Sequence, residues 1–251
     1  MTDSARGGPG EERKDRAIRV LTLLKTAYPD AKIVLHYHNS WELLVSVILS
    51  AQCTDVMVNK VTETLFQKYP TLEDYVRADP KEFEQDIKST GFYRNKAKNI
   101  LAAARIIKEK FAGAIPRTMG DMLTIPGVAR KTANVVLGNA YGIVEGIAVD
   151  THVLRLSQRL RLVEPEKIGG KKSARFIRHD FASQDHVLRV FDYKKDADPV
   201  KIEKELMAVI PKSDWFKATY LFIDHGRAVC RAQNPQCTHC VLRDLCPSSR
   251  V

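Results

Sequence analysis

Four cysteines crowd into 17 residues near the C-terminus: Cys230, Cys237, Cys240 and Cys246, spaced C-x6-C-x2-C-x5-C. Four thiolates this close together suit a metal centre. Structural zinc usually draws on two close cysteine pairs, and only one x2 pair exists here. An iron–sulfur cluster takes four cysteines as readily, so the spacing leaves both open. The fifth cysteine, Cys53, stands alone far upstream. The odd count and the tight cluster favour metal over disulfides. Cys53 then reads as a packed thiol rather than a ligand or nucleophile.

A second chemical feature is Lys131. In Leu123-Thr124-Ile125-Pro126-Gly127-Val128-Ala129-Arg130-Lys131-Thr132-Ala133, Pro126-Gly127 makes a tight turn between two short helical patterns. The helix that follows opens with unpaired backbone N–H groups, which suit a phosphate. Such a contact positions a nucleic acid without reading its sequence. Lys131 in the first turn opposes the helix dipole. That dipole and Arg130 both disfavour the ammonium form. A free lysine is neutral only about one time in 2,500 at pH 7, and a lowered pKa yields a usable amine nucleophile. The plainer reading is a solvated or phosphate-contacting lysine. Asp150, before Thr151-His152, sits where a helix N-cap belongs. Taken alone it is a structural cap.

The elements that must hold these residues are helical. Apolar positions recur at helical spacing in 11–28 (Ile18, Leu21, Leu24), Trp41–Gln52, Thr54–Gln67, Arg94–Phe111 and Arg130–Tyr141. Further helices fit Met119–Thr124, Thr151–Leu162, Val200–Ile210 and Ser213–Gly226. Thr71 with Asp74, and Asp79-Pro80, each open a short one. Period-2 alternation appears only in 185–193. The expected fold class is therefore all-α. The stretch 163–199 lacks a clear element. Lys171–Phe181 reads as an added helix and His186–Tyr193 as a strand-like piece.

The chain has 251 residues and a formal charge of +10, enough length for one large or two modest domains. The charge is uneven. Residues 91–131 carry nine basic and two acidic side chains, and 151–178 eight and two, while 71–90 is acidic. Two basic excesses that bracket Lys131 and Asp150 suit a polyanion partner. No uncharged stretch exceeds 13 residues, too short for a membrane span. The N-terminus lacks the apolar run of a secretory signal. Cytoplasm is the expected compartment, and residues 1–10 read as a flexible tail.

The hairpin with Lys131, then Ala148-Val149-Asp150-Thr151-His152, then the cysteine spacing, resemble the endonuclease III family of helix-hairpin-helix DNA glycosylase/AP lyases. Leu49-Ser50-Ala51-Gln52-Cys53-Thr54-Asp55 and Asn134-Val135-Val136-Leu137 are similar too. The resemblance runs from about Trp41 to Cys246, outside 163–199. It implies two helical lobes: a six-helix barrel over 33–145 carrying the hairpin 123–133, and an iron–sulfur lobe built from 11–32 and 146–251. The lysine and the acid would face each other across the cleft. It implies base excision repair of oxidised pyrimidines, with Lys131 forming a Schiff base and Asp150 stabilising positive charge at the sugar. The strand would be cut 3′ to the lesion by β-elimination. The four C-terminal cysteines would hold a 4Fe-4S cluster. The partner would be double-stranded DNA with a damaged base or abasic site, engaged by a monomer, nucleoid-associated if bacterial.

Further roles follow by the same resemblance. Gln52 and Phe92 would fill the hole left by the extruded base. Ile125, Gly127, Ala129, Arg130 and Arg231 would contact the backbone. Cys53 would line the lesion pocket, and His152 would either line it too or serve instead as a partner of the cap. Ala129 stands where the family usually has glycine; a helical φ there would tolerate it. The competing reading is a DNA-binding iron–sulfur protein with weak or no glycosylase activity, which would not need Lys131 with Asp150. Mismatch-specific relatives lack the lysine, so Lys131 argues against that class.

Overall fold

The structure, a computed structural model, describes residues 9–179 and 187–251. The chain divides into two compact units. One is Ile33–Glu145; the other joins the chain through Lys32 to Gly146–Val251.

The first unit opens with α2 (Ser40–Leu49), preceded in the chain by α1 (Pro9–Ala27) of the other unit. Asn39 caps α2 by accepting from the Glu42 N–H at 2.9 Å, and Glu42 in turn accepts from the His38 N–H at 2.7 Å. This reciprocal arrangement ends the loop and starts the helix. Every residue from Trp41 to Leu49 is buried. A helix apolar on all sides belongs in the middle of its unit, and α2 packs on α3 (Asp55–Lys68), α6 (Tyr93–Lys110) and α8 (Arg130–Tyr141). Thr71 and Asp74 form a capping box for α4 (Leu72–Arg77). Asp79 then caps α5 (Pro80–Asp86), whose first residue is proline. The acidic stretch is thus split in two, and with α7 (Met119–Met122) the unit holds seven α-helices and one 3-10 turn, Lys88–Thr90. Tyr69, Tyr75, Phe83 and Trp41 form an aromatic cluster with ring centroids 5.0–5.7 Å apart in the contacting pairs. Such geometry adds to plain area burial.

The second unit is built on α9 (Thr151–Arg159), which packs against α11 (Trp215–Ala228) and α10 (Pro199–Val209). α1 adds its apolar stripe to α10 and α11. That stripe is Ala17, Val20, Leu21 and Leu24. Ile18, expected on the buried face, is 50% exposed; the small Ala17 occupies the inward position instead. α1 begins at Pro9, so Pro9 and Gly10 are helical rather than tail, and the rest of the expected tail lies outside the described residues.

The segment 163–199 corrects one expectation. Lys171–Phe181 is not a helix over its described part. Ser173–His179 is a strand, β1, paired antiparallel with β2 (Val187–Lys194) from Ser173 opposite Lys194 to His179 opposite Val187. Residues 180–181 and His186 lie outside the described residues. The ribbon's base is tied to the helices. Gln158 on α9 accepts from the Lys194 N–H at 2.7 Å and donates to the Lys194 carbonyl at 3.1 Å. Asp196 accepts from the Lys171 and Lys172 N–H groups.

Candidate active site and cysteine cavity

The hairpin is a turn of backbone bonds. Val128 N–H donates to the Ile125 carbonyl at 3.1 Å, and Gly127 takes φ +79°. A Cβ on Gly127 would lie 2.9 Å from the Cβ of Asn99 on α6, so both conformation and space demand glycine. Gly127→Ala is expected to destabilise this unit by about 1–3 kcal/mol. Chemical denaturation reads it, and an unchanged midpoint would contradict the packing described. Ala129 is not helical as expected. It is the N-cap of α8 in extended backbone, φ −97° and ψ 171°, which alanine adopts without strain. It supplies no side-chain cap, so the first N–H groups of α8 have no hydroxyl or carboxylate over them from that position. Gly127 and Ala129 are exposed, and Arg130 and Lys131 half-buried. Ile125 is buried, so a backbone contact with DNA there would run through main-chain atoms.

Asp150 belongs to the second unit, and Lys131 to the first. Asp150 caps α9 as read from the sequence: Oδ1 accepts from the His152 and Val153 N–H groups, both at 2.8 Å. Oδ2 is not used by the cap. Arg155 fixes the neighbouring imidazole. Its Nη2 lies 3.2 Å from His152 Nδ1 and 3.2 Å from the Gly226 carbonyl, and its Nε and Nη2 donate to the Cys230 carbonyl at 3.1 and 3.0 Å. Arginine has no acceptor, so Nδ1 of His152 accepts, which places the proton of a neutral ring on Nε2. His152 is therefore oriented by the frame of the cysteine loop. Gly226 permits this: a Cβ there would sit 2.5 Å from His152 Nδ1.

The four C-terminal cysteines line one cavity with Leu156, Arg159, His225 and Leu242. The loop closes through Gln236 N–H on the Val229 carbonyl at 3.0 Å, and two 3-10 turns, Cys237–His239 and Arg243–Leu245, present the last three thiols. Arg159 Nη1 lies 3.3 Å from Cys230 Sγ. Burial pushes the Cys246 thiol up to about 12 and raises Cys240, with the other thiols adding repulsion. Four thiolates gathered here need a cationic core among them. Among the described residues, no three or more histidine, cysteine or acidic side chains form a group that could hold a metal ion. Four cysteines lining one cavity are a donor set that zinc and an iron–sulfur cluster both take.

Gln52 and Phe92 lie in the first unit. Both are exposed, Phe92 at 63%, and both are left-handed, with φ of 53° and 50°. Phe92 is thus no core aromatic. Cys53 is half-buried after Gln52, and the side chain of Arg231 is exposed. Sequence reasoning missed Arg155, Arg159, Lys96 and Gly226. Only Gly226, a glycine inside a helical pattern, left a signal.

Residues 45–179 match the HhH-GPD superfamily of base excision DNA repair proteins. Endonuclease III of Synechocystis sp. is 47% identical over 239 residues, spanning 95% of each chain. That of Bacillus subtilis is 44% identical over 219 residues, spanning 87% of this chain and 86% of its own. A solved trapped endonuclease III–DNA covalent intermediate superposes with a TM-score of 0.79 at 39% identity, covering 94% of this chain and 96% of that one. The chain belongs to the endonuclease III family within the HhH-GPD superfamily.

Proposed function

We propose that this protein excises oxidised pyrimidines from double-stranded DNA and cuts the strand 3′ to the abasic site, with Lys131 as nucleophile and Asp150 as the carboxylate that stabilises charge on the sugar. Membership of the family makes it a DNA glycosylase/AP lyase of base excision repair; the lesion class and the residue roles go beyond that. The observation that carries the reading is Lys131 in the first turn of α8, whose N-cap Ala129 offers no side-chain bond, four residues after the left-handed Gly127 of the turn. The hairpin's N–H groups hold phosphate, and the lysine stands beside them. The solved relative was itself caught as a covalent intermediate with DNA.

Lys131, deprotonated, attacks C1′. The C1′–N bond breaks and the base leaves. The sugar ring opens as the amine becomes an imine. Loss of a C2′ proton then breaks the C3′–O3′ bond and releases the 3′ strand. The Asp150 carboxylate, at a helix N-terminus, stabilises the positive charge that develops on the sugar. We further assign the cysteine cavity to a 4Fe-4S cluster held by Cys230, Cys237, Cys240 and Cys246. When bound it cross-links the loop 231–236, and as a 2+ core on four thiolates it lowers the chain's charge to about +8.

The test is borohydride trapping on a duplex with one abasic site. A covalent adduct of protein and DNA is expected; none would sink the lyase assignment. The same preparation should be brown and bleach with iron chelation, and stoichiometric zinc would refute the cluster.

A further inference from the structure

Lys96 is a buried lysine with no part in the chemistry above. It lies on α6 with 5% of its surface exposed. Its Nζ donates to the Leu49 carbonyl and to the Thr90 carbonyl, both at 2.8 Å. Burial pulls its pKa below the usual lysine range, with Cys53 opposing. Burying an ammonium is costly, and an apolar side chain would fill the same space. The two hydrogen bonds say what the charge does instead.

Leu49 is the last residue of α2, and three residues on comes Gln52. The last turn of α2 contains no basic residue of its own, so the Lys96 ammonium supplies the positive charge that a helix C-terminus favours. Thr90 ends a 3-10 turn, Lys88–Thr90, and two residues on comes Phe92. One nitrogen therefore joins the roots of two loops, and the carbonyls it binds are no farther apart than two hydrogen bonds. Both loops then pass into left-handed backbone, at Gln52 and at Gly91-Phe92. Non-glycine residues in that region are strained and persist only where their surroundings fix them. The loop before Gln52 has local support as well, from Ser50 N–H to Ser46 and Cys53 N–H to Ser50. Across to Phe92, Lys96 adds two hydrogen bonds to the packing of the Lys88–Thr90 turn on α3.

We propose that Lys96 is a positioning residue that clamps the Gln52 and Phe92 loops together, so that the two exposed side chains enter a duplex as one preset pair. This rests on the reading of Gln52 and Phe92 as the residues that fill the hole left by an extruded base. Misplacing such groups by about 1 Å is enough to cost on the order of 100-fold in rate.

The test compares Lys96→Met, Phe92→Ala and the double variant as purified holoproteins. One readout is base extrusion, followed by 2-aminopurine fluorescence in a lesion duplex. The other is strand cutting at an abasic site in single-stranded DNA, where no opposite base leaves a hole. Lys96→Met is expected to slow extrusion roughly 10- to 100-fold while single-strand cutting stays within about twofold. Phe92→Ala is expected to slow extrusion too, and the double variant to be no worse than the slower single. Equal loss on both substrates would make Lys96 merely structural and overturn the clamp. So would normal extrusion by Lys96→Met beside impaired Phe92→Ala, or additive losses in the double variant. Normal extrusion by Phe92→Ala would instead overturn the reading of Phe92 on which the clamp rests. Should Lys96→Met fail to fold, hydrogen exchange of the wild-type protein decides. Slow exchange at the Gly91 and Cys53 amides is expected, and fast exchange there would overturn the clamp.

Discussion

Replacing Lys131 with alanine abolishes the borohydride-trapped adduct and lowers strand cutting at abasic sites by about 10³-fold or more, as expected when a covalent nucleophile is removed. Duplex binding is expected to survive, because in the proposed reading the hairpin holds phosphate through backbone N–H groups around Gly127 and at the start of α8, not through the amine. The companion change is Asp150→Asn. Asparagine caps a helix as well as aspartate does, so the bonds from the His152 and Val153 N–H groups persist and the fold is retained. The negative charge is lost. Base excision is then expected to fall by roughly 10²–10⁴-fold, the range for loss of an acid–base or charge-stabilising group, with the melting temperature little changed. Both variants are read by single-turnover cutting and by gel-shift affinity. An adduct formed by Lys131→Ala would remove Lys131 as the nucleophile. Full activity in Asp150→Asn would leave Asp150 as a cap and nothing more.

Asp192→Ala is expected to produce the largest loss of stability. Asp192 on β2 accepts from Arg159 Nε at 2.7 Å and from Nη2 at 2.6 Å, and Arg250 Nη2 also reaches it at 3.2 Å. The Arg159 and Asp192 side chains are 3% and 4% exposed. Arg159 spends its other donors on the cysteine loop: Nη1 reaches the Arg231 carbonyl at 2.7 Å and Cys230 Sγ, and Nη2 the Ala232 carbonyl at 3.1 Å. Removing the carboxylate leaves a guanidinium buried without that partner, a loss of about 3–5 kcal/mol. Arg159→Met with Asp192→Leu together should cost less than Asp192→Ala alone, because neither charge of the pair is then left buried without the other. Denaturant titration of the holoprotein reads both, and a loss below about 0.5 kcal/mol for Asp192→Ala would contradict the buried pair. The ribbon that includes Asp192 is thereby a brace of the cysteine loop.

The parts of this protein that could be read in the sequence are the local ones. Asn39, Thr54, Thr71, Asp79 and Asp150 cap helices where their side chains reach backbone N–H groups two or three residues on. Such bonds depend on the adjoining residues alone. Cysteine spacing is local too, as are the Gly127 turn and the place of Lys131 after it. The face of α1 was harder. Ile18 and Ala17 both fit a helical pattern, and only the packing against α10 and α11 turned Ala17 inward. The β1 strand is hard to read from the sequence because its partner is a separate segment, Val187–Lys194. Strand hydrogen bonds are made to another segment, and residues 173–179 show no clear alternation that would announce one.

What the sequence by itself determined is the chemical inventory and its local settings: four thiols in 17 residues, a lysine in the first turn of a helix, a carboxylate on a helix N-cap. What only the tertiary structure decided is how charges far apart in the chain are spent. Lys96 reaches Leu49 across 47 positions, and Arg159 reaches Asp192 across 33. The physical reason is that a buried ion must find its partners wherever the fold brings them. No spacing rule connects such residues in advance, because their hydrogen bonds exist only once the core has closed around them.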